Sequence, residues 1–499
     1  MLKRALLASY ATQIYVGLIG LVLMPVYLRY MGAEAFGLVG LFVSLQAWLQ
    51  LLDLGLSPSL SREMSLYCAG MLPADLARGR LRSLECLLGG MAVLAVLGLA
   101  TARDWIAHDW LNVRSLSVET VSSCLVWMGG AAAARWLAGL YRAGLAGMER
   151  QLSVNAAVAT FSTLKFVGVI PLLAFWTSEP RAFFAYQALI GGFELVTFAA
   201  LMYHILPRAT RPVWPSWSAL RGMLPVAGAM AFLSGMWVFL TQIDKLILSR
   251  ALSLEVFGYY SVAVAAAGSV LTLVPPLNQV LLPRMTILAA QGRTEDLKQI
   301  FCMATQCSAV VFTATGAVLA ILADPVLWVW TGSRAVADQA APILFWYGLA
   351  NGLIGVLTLP FMLQFAFGYL RLHIVGNLVL GLTLLPALGA AATYYGAKGA
   401  GGVLFAANLM FLLFWIPLVY RKLMPDLTWR WLGRELMPPA CATLLVVVAF
   451  AAMMPMAPSR IEAAGLLIAA VSASALAGVA AGNRTRALIA TALFRKTMA

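Results

Sequence analysis

The sequence predicts an all-α integral membrane protein with about 14 transmembrane helices: two parallel six-helix lobes followed by two further helices, with both termini cytoplasmic. Three observations predict it. Of 499 residues, 62% are hydrophobic and only 11% charged, and the mean hydropathy is +0.88, so the chain cannot cover itself with a water-compatible surface. Its apolar residues come in uncharged runs of about 20, the length of a helical crossing, rather than in the ten-residue alternation of a barrel; within lipid every backbone polar group must be bonded inside the protein. Finally, residues 29–76 recur without a gap 221 positions later as residues 250–297, with 12 identities in 48 positions. Apolar matches are cheap in such a composition. The polar and glycine matches Arg29/Arg250, Glu34/Glu255, Gly37/Gly258 and Asp75/Asp296, with Phe36/Phe257 between them, carry the signal, and internal repeats of this kind mark transporters.

Taken in order, the first lobe covers 1–206, with spans at 5–28, 37–57, 83–101, 119–141, 153–176 and 184–206. Lys3 and Arg4 precede the first, Arg29 closes it, and Gly55 with Pro58 loosens the end of the second. The opening imitates a signal peptide, with Ala33-Glu34-Ala35 as a cleavage motif. Its apolar run is too long for one, however, and the motif falls inside the repeated block, so an uncleaved first span is expected. Residues 207–222 hold Pro207, Pro212 and Pro215 and are read as a cytoplasmic connector. The second lobe covers 223–420, with spans at 223–246, 258–282, 301–323, 341–367, 373–394 and 401–420. Residues 421–499 add spans at 436–456 and 463–482 and a basic cytoplasmic tail. Six spans separate the matched blocks, so the second repeat keeps the orientation of the first.

Charge sets the expected orientation. With a cytoplasmic amino terminus, inner segments carry 23 Lys and Arg and outer segments 8, among them Arg103, Arg114, Arg181, Arg334, Lys398 and Arg460. The net charge of +14 is thereby accounted for by anionic inner-leaflet lipid, with no nucleic acid required. Outer connections are short, and Trp105, Trp110, Trp328 and Trp330 fall at outer interfaces as an aromatic belt.

Ionisable side chains within a bilayer cost on the order of 2.5 to 3.5 kcal/mol or more and need a partner, a wet cavity or the interface. Asp53, Arg135, Lys165, Glu194, Asp244 and Lys245 are such residues. Arg142 lies seven residues from Arg135 on nearly the same helical face, giving a basic track, and Arg284 sits at another inner end. Arg135, Lys165, Lys245, Arg142 and Arg284 are therefore the candidate anion-binding residues, and Asp53, Glu194 and Asp244 the candidate acceptors of a coupling ion. A positively lined cavity attracts an anionic headgroup, of which a diphosphate is the commonest in a membrane lipid. Internal ion pairing, for example of Lys165 with Glu194, is the competing structural reading of the same residues.

Other chemistry lacks its residues. Cys68, Cys86, Cys124, Cys302, Cys307 and Cys441 are scattered, without a C-x-x-C pair, and read as small buried apolar residues; His108, His204 and His373 lie far apart, so no metal site is expected. No phosphate-binding G-x4-G-K-[ST] motif occurs, so energy must come from a partner or from ion and voltage gradients, with no cofactor. Asp104 and Asp109 form the only outer carboxylate pair, on a loop too short to fold around a sugar acceptor, which argues against an enzyme.

Tyr30-Met31-Gly32-x-Glu34-x-Phe36-Gly37, Leu52-Asp53-Leu54-Gly55-Leu56 running to Arg62-Glu63, Gln242 to Leu248, and Glu255-x-Phe257-Gly258-Tyr259-Tyr260 resemble the polysaccharide transporter branch of the multidrug/oligosaccharidyl-lipid/polysaccharide exporter superfamily. The closest type is the Wzx-type O-antigen repeat-unit flippase. The resemblance implies a V-shaped central cavity and alternating access, commonly coupled to protons or sodium. Its cargo would be an undecaprenyl-diphosphate-linked oligosaccharide moved from the cytoplasmic to the periplasmic leaflet of the bacterial inner membrane. Membrane lipids and other polysaccharide-assembly proteins are the partners it implies, and a monomer is the expected state. The alternatives are a drug/cation antiporter of the same superfamily, which calls for acidic rather than basic cavity residues, a membrane polymerase or ligase, and a scaffold of an envelope assembly complex.

Overall fold

The structure, a computed structural model, describes residues 2–207, 214–215, 221, 224–369, 371–455 and 458–487; the connector 207–222 and the end of the basic tail lie largely outside them. The described residues are helical almost throughout, and their one β-contact is an isolated bridge between Asn112 and Ser253. Among the described residues ten helices are long and apolar enough to cross a membrane, and each sequence-derived span falls mainly on helix.

Two of the long helices are double. Helix α1, Leu2–Leu51, has 50 residues, well beyond one crossing at about 1.5 Å per residue. It bends at Gly32, whose φ of 83° a side chain would strain, between the spans expected at 5–28 and 37–57. The same device recurs at Gly396 within Arg371–Met410, between 373–394 and 401–420. Helix α1 ends at Leu51, before the expected boundary at 57, because Leu54 and Gly55 take left-handed conformations; Asp53 accepts hydrogen bonds from the Ser57 N–H at 3.2 Å and from its hydroxyl, starting α2, Leu56–Cys68.

The chain divides into two compact units, Met1–Ser261 and Val262–Ala499. The first continues with α3 (Ala74–Trp105), α4 (Val118–Gly147), α5 (Gln151–Phe166), α6 (Pro180–Ile205), α7 (Leu224–Ala251) and α8 (Leu254–Gly268), of which α8 runs past the boundary. Helix α7 packs on α1 and α2, which brings it into this unit rather than leaving the boundary at the connector. Its core centres on α4, which packs against α2, α3 and α6 through Leu60, Met64, Leu84, Leu88, Leu140, Leu145, Phe198 and Met202.

The repeated glycines are explained by a mutual crossing. A Cβ on Gly37 would overlap the Leu254 carbonyl, and one on Gly258 would overlap the Ala33 carbonyl. Ala33 and Leu254 are themselves 221 positions apart, so the two contacts are the same contact seen from either repeat. Nearby, the Glu34 carboxylate accepts from the backbone N–H groups of Arg114 (2.6 Å), Ser115 (2.8 Å) and Leu116 (3.2 Å), and the Asn112 side chain donates to the Arg250 carbonyl at 2.9 Å. The loop after α3 is thus bonded to both repeated hairpins.

The second unit is built on α9 (Val274–Ala290), α10 (Thr294–Ile321), α11 (Ala323–Thr331), α12 (Arg334–Ala366), α13 (Arg371–Met410), α14 (Ile416–Leu423), α15 (Met437–Met453) and α16 (Arg460–Ala481). Helices α10 and α12 meet at small residues: a Cβ on Gly316 would stand 2.9 Å from the Gly352 Cα, and one on Gly348 3.0 Å from the Ala320 nitrogen. Around that seam lie Phe301, Phe312, Leu359, Met362, Tyr420 and Trp431. The last two helices pack on α10. They are tied at one end by Arg460, which donates to the Val329 carbonyl at 2.8 and 3.0 Å, and at the other by Gln306, which accepts from the Arg484 and Thr485 backbone.

Candidate functional site: a buried cation cluster

The charged positions gather on α4, α5 and α6. Helix α4 starts at Ser117, whose hydroxyl oxygen accepts from the Thr120 N–H at 3.1 Å, and its run Gly129 to Ala134 offers only small side chains. Helix α6 therefore comes close: a Cβ on Gly191 would lie 3.5 Å from the Ala131 carbonyl. That approach places Glu194, one helical turn beyond, against the arginines of α4. Arg142 Nη1 stands 3.9 Å from Glu194 Oε1, and its guanidinium lies 5.9 Å from the centre of the Phe198 ring. Lys165, in the last turn of α5, donates to the other oxygen of Glu194.

Lys165 and Glu194 are 6% and 3% exposed, so this is an ion pair held away from solvent and lipid alike. Arg135 completes the group, within electrostatic reach of Glu194, Lys165 and Arg142, yet it makes no hydrogen bond or ion pair among the described residues. Three cations surround one carboxylate. The cluster carries a surplus of two positive charges, and a guanidinium with five donors still uncommitted. Such a site favours an anion of charge two that can accept several hydrogen bonds.

Helix α5 also breaks here, a feature absent from the uninterrupted span expected at 153–176. The helix stops at Phe166 and resumes at Val169, and three successive carbonyls at the break accept from side chains: Leu164 from the Tyr186 hydroxyl (2.9 Å), Lys165 from the Gln187 amide (3.0 Å) and Phe166 from the Tyr27 hydroxyl (2.6 Å). Gly168 followed by Pro171, and a glutamine within an apolar span, were the available signals.

The structure thus unites Arg135, Arg142, Lys165 and Glu194 among the sequence-derived candidates, with Lys165 and Glu194 paired inside one bundle. Lys245 is placed otherwise, donating to Gln242 Oε1 of its own helix at 2.8 Å. Asp244 is buried and accepts from the Tyr260 hydroxyl at 2.8 Å. Asp53 caps the start of α2 through Ser57. Arg284 belongs to the second unit and is exposed. Among the described residues no group of three or more His, Cys, Asp or Glu could hold a metal ion. All six cysteines are free, and against expectation Cys68, Cys86 and Cys441 face outward rather than into a core, leaving Cys124 and Cys302 buried.

A family model described as polysaccharide biosynthesis protein matches residues 2–288, more than half of the chain. The chain belongs to the polysaccharide biosynthesis protein family. Its fold is that of the multidrug/oligosaccharidyl-lipid/polysaccharide superfamily of transporters. An inward-facing multidrug-resistance MATE family transporter of that superfamily superposes with a TM-score of 0.64 at 14% identity, over 83% of this chain and 99% of the other. The lipid II flippase MurJ, in an inward closed conformation, does so with a TM-score of 0.65 at 10% identity, over 97% and 99%. A single-residue mutant of the Vibrio cholerae MATE transporter VcmN gives 0.56 at 15% identity over 85% and 97%. No curated protein matches the sequence.

Proposed function

We propose that this family member is a flippase for a polyprenyl-diphosphate-linked oligosaccharide, of the undecaprenyl-diphosphate O-antigen type, moved from the cytoplasmic to the periplasmic leaflet of a bacterial inner membrane. One observation carries the reading: three buried or half-buried cations, Arg135, Arg142 and Lys165, stand around a single acid, Glu194. A diphosphate diester carries two negative charges, the number that the cluster leaves unbalanced. Arg135 supplies donors that no described residue uses, and a guanidinium fork suits phosphate oxygens. A drug/cation antiporter calls for unneutralised acid, and here the one acid is outnumbered.

The cargo's diphosphate engages Arg135 and Arg142 while its prenyl chain stays in the bilayer, and the cluster is presented to each side of the membrane in turn. A negative interior helps expel the anion by roughly 2.3 kcal/mol per charge per 100 mV. Glu194, Asp53 and Asp244 are the carboxylates through which a proton or sodium ion would bias the two states. Glu194 acts most directly, because the phosphate competes with it for Lys165.

The test is surface polysaccharide in cells that depend on this protein. Arg135→Ala, Lys165→Ala and Arg142→Ala each abolish the polymer while the protein stays in the membrane. Normal polymer from all three variants would rule the reading out.

A further inference from the structure

The break in α5 lies directly beside Lys165, and the groups that hold it come from two other helices. Three consecutive carbonyls, those of Leu164, Lys165 and Phe166, are bonded by the side chains of Tyr186, Gln187 and Tyr27, the first two from α6 and the third from α1. Carbonyls at a helix end buried in a membrane cannot turn to water, so side-chain donors are what allow the helix to stop there. Gly168 completes the arrangement, since a Cβ at that position would overlap the Tyr186 hydroxyl. Tyr27 is itself fixed, 3% exposed and edge-on to Phe183 with ring centres 5.5 Å apart. Gln187 is 8% exposed, so its amide is committed to a site that solvent barely reaches.

A continuous helix would send the chain onward in regular register. The held break instead ends α5 one residue after Lys165, so the lysine's stem leaves a backbone that is bonded on both sides. We infer that Gln187, Tyr186 and Tyr27 are positioning residues of the cation cluster, holding the α5 break so that Lys165 is aimed at Glu194. This rests on the proposed role of the cluster but is separable from it. Tyr27 extends the arrangement to α1, which also meets α5 through Tyr15 with Thr163 at 2.6 Å and Ser9 with Asn155 at 2.8 Å. A shift of α1 relative to α5 is therefore transmitted to the carbonyl next to Lys165.

The test reads Lys165 itself. The full-length protein in lipid nanodiscs is treated with formaldehyde and a mild reductant, and methylation of each lysine is followed by mass spectrometry. In Gln187→Leu and Tyr186→Phe the Lys165 rate rises about fivefold, the factor set by losing one hydrogen bond, whereas Lys245 and Lys398 react as in the wild type. Tyr27→Phe, which like Tyr186→Phe removes one hydroxyl from a carbonyl adjacent to Lys165, gives a comparable rise confined to Lys165. An unchanged Lys165 rate in all three variants overturns the inference, and so does a parallel rise at all three lysines, which marks general loosening. Inorganic pyrophosphate added to the wild type separates the two proposals. Failure to protect Lys165 counts against the cargo reading, while the comparison of variants still decides the positioning role.

Discussion

The two halves of the chain differ in where they carry buried charge. Carried 221 positions forward, Arg135, Arg142, Lys165 and Glu194 fall on Val356, Leu363, Pro386 and Trp415. Where α4 presents arginines, α12 presents buried Val356 and Leu363 and closes on α10 through Gly316, Gly348 and Gly352. The α10–α12 seam is therefore made by small residues and dispersion, whereas α4, α5 and α6 meet partly through buried charge. Dispersion gives a seam that is stable but mute, whereas charge costs stability and can recognise an anion. The repeat thus keeps the mutual crossing of Gly37 and Gly258, while the buried cation cluster, the proposed anion site, lies in one half.

The sharpest way to break that contrast is to remove one member of the buried pair. Lys165→Met leaves Glu194 without its closest partner and is expected to cost about 3–5 kcal/mol, read as a lowered thermal unfolding temperature in detergent. Lys165→Met combined with Glu194→Met is expected to recover most of that stability but no polysaccharide, since a buried ion pair can be exchanged for apolar groups without loss of fold. Recovery of the polymer in the double variant would mean that the charges serve packing only, as their counterparts in the second unit do.

Next in size is the seam of the second unit. Gly352→Leu places side-chain atoms where the Phe312 carbonyl lies 3.0 Å from a bare Cβ, and is expected to cost about 1–3 kcal/mol or more. Its effect on polysaccharide should follow the amount of folded protein and nothing else. Asp53→Ala, which strips the start of α2 of its acceptor for Ser57, is expected to cost about 0.5–2 kcal/mol by the same unfolding measurement. Arg284→Ala, an exposed side chain of the second unit, should change stability by less than about 0.5 kcal/mol.

Much of this was legible in the sequence, for physical reasons that also mark its limits. Lipid forces crossings of fixed apolar length, so the spans could be read from run lengths, and Gly32 and Gly396 mark bends where an unbroken helical hydrogen-bond pattern hides a change of direction. Lys165 and Glu194 could be singled out because charge at mid-depth needs a partner, and their pairing was one of two readings that the sequence left open. The break after Phe166 was hidden because hydropathy is blind to a gap of two residues when the donors that satisfy it, Tyr27, Gln187 and Tyr186, come from other helices. The loop bonded by Glu34 and Asn112 was hidden for the same reason: its contacts span 80 positions or more in sequence.

The charge surplus on α4, α5 and α6 is proposed to bind a diphosphate. The most direct measurement is calorimetric titration of farnesyl diphosphate into the purified wild-type protein and into Arg135→Ala, at matched salt. Arg135 makes no hydrogen bond to the described residues, so its removal should leave folding intact and weaken binding roughly tenfold or more, the worth of a charge-assisted contact. Equal affinity in the two proteins would mean that the cluster does not bind the diphosphate.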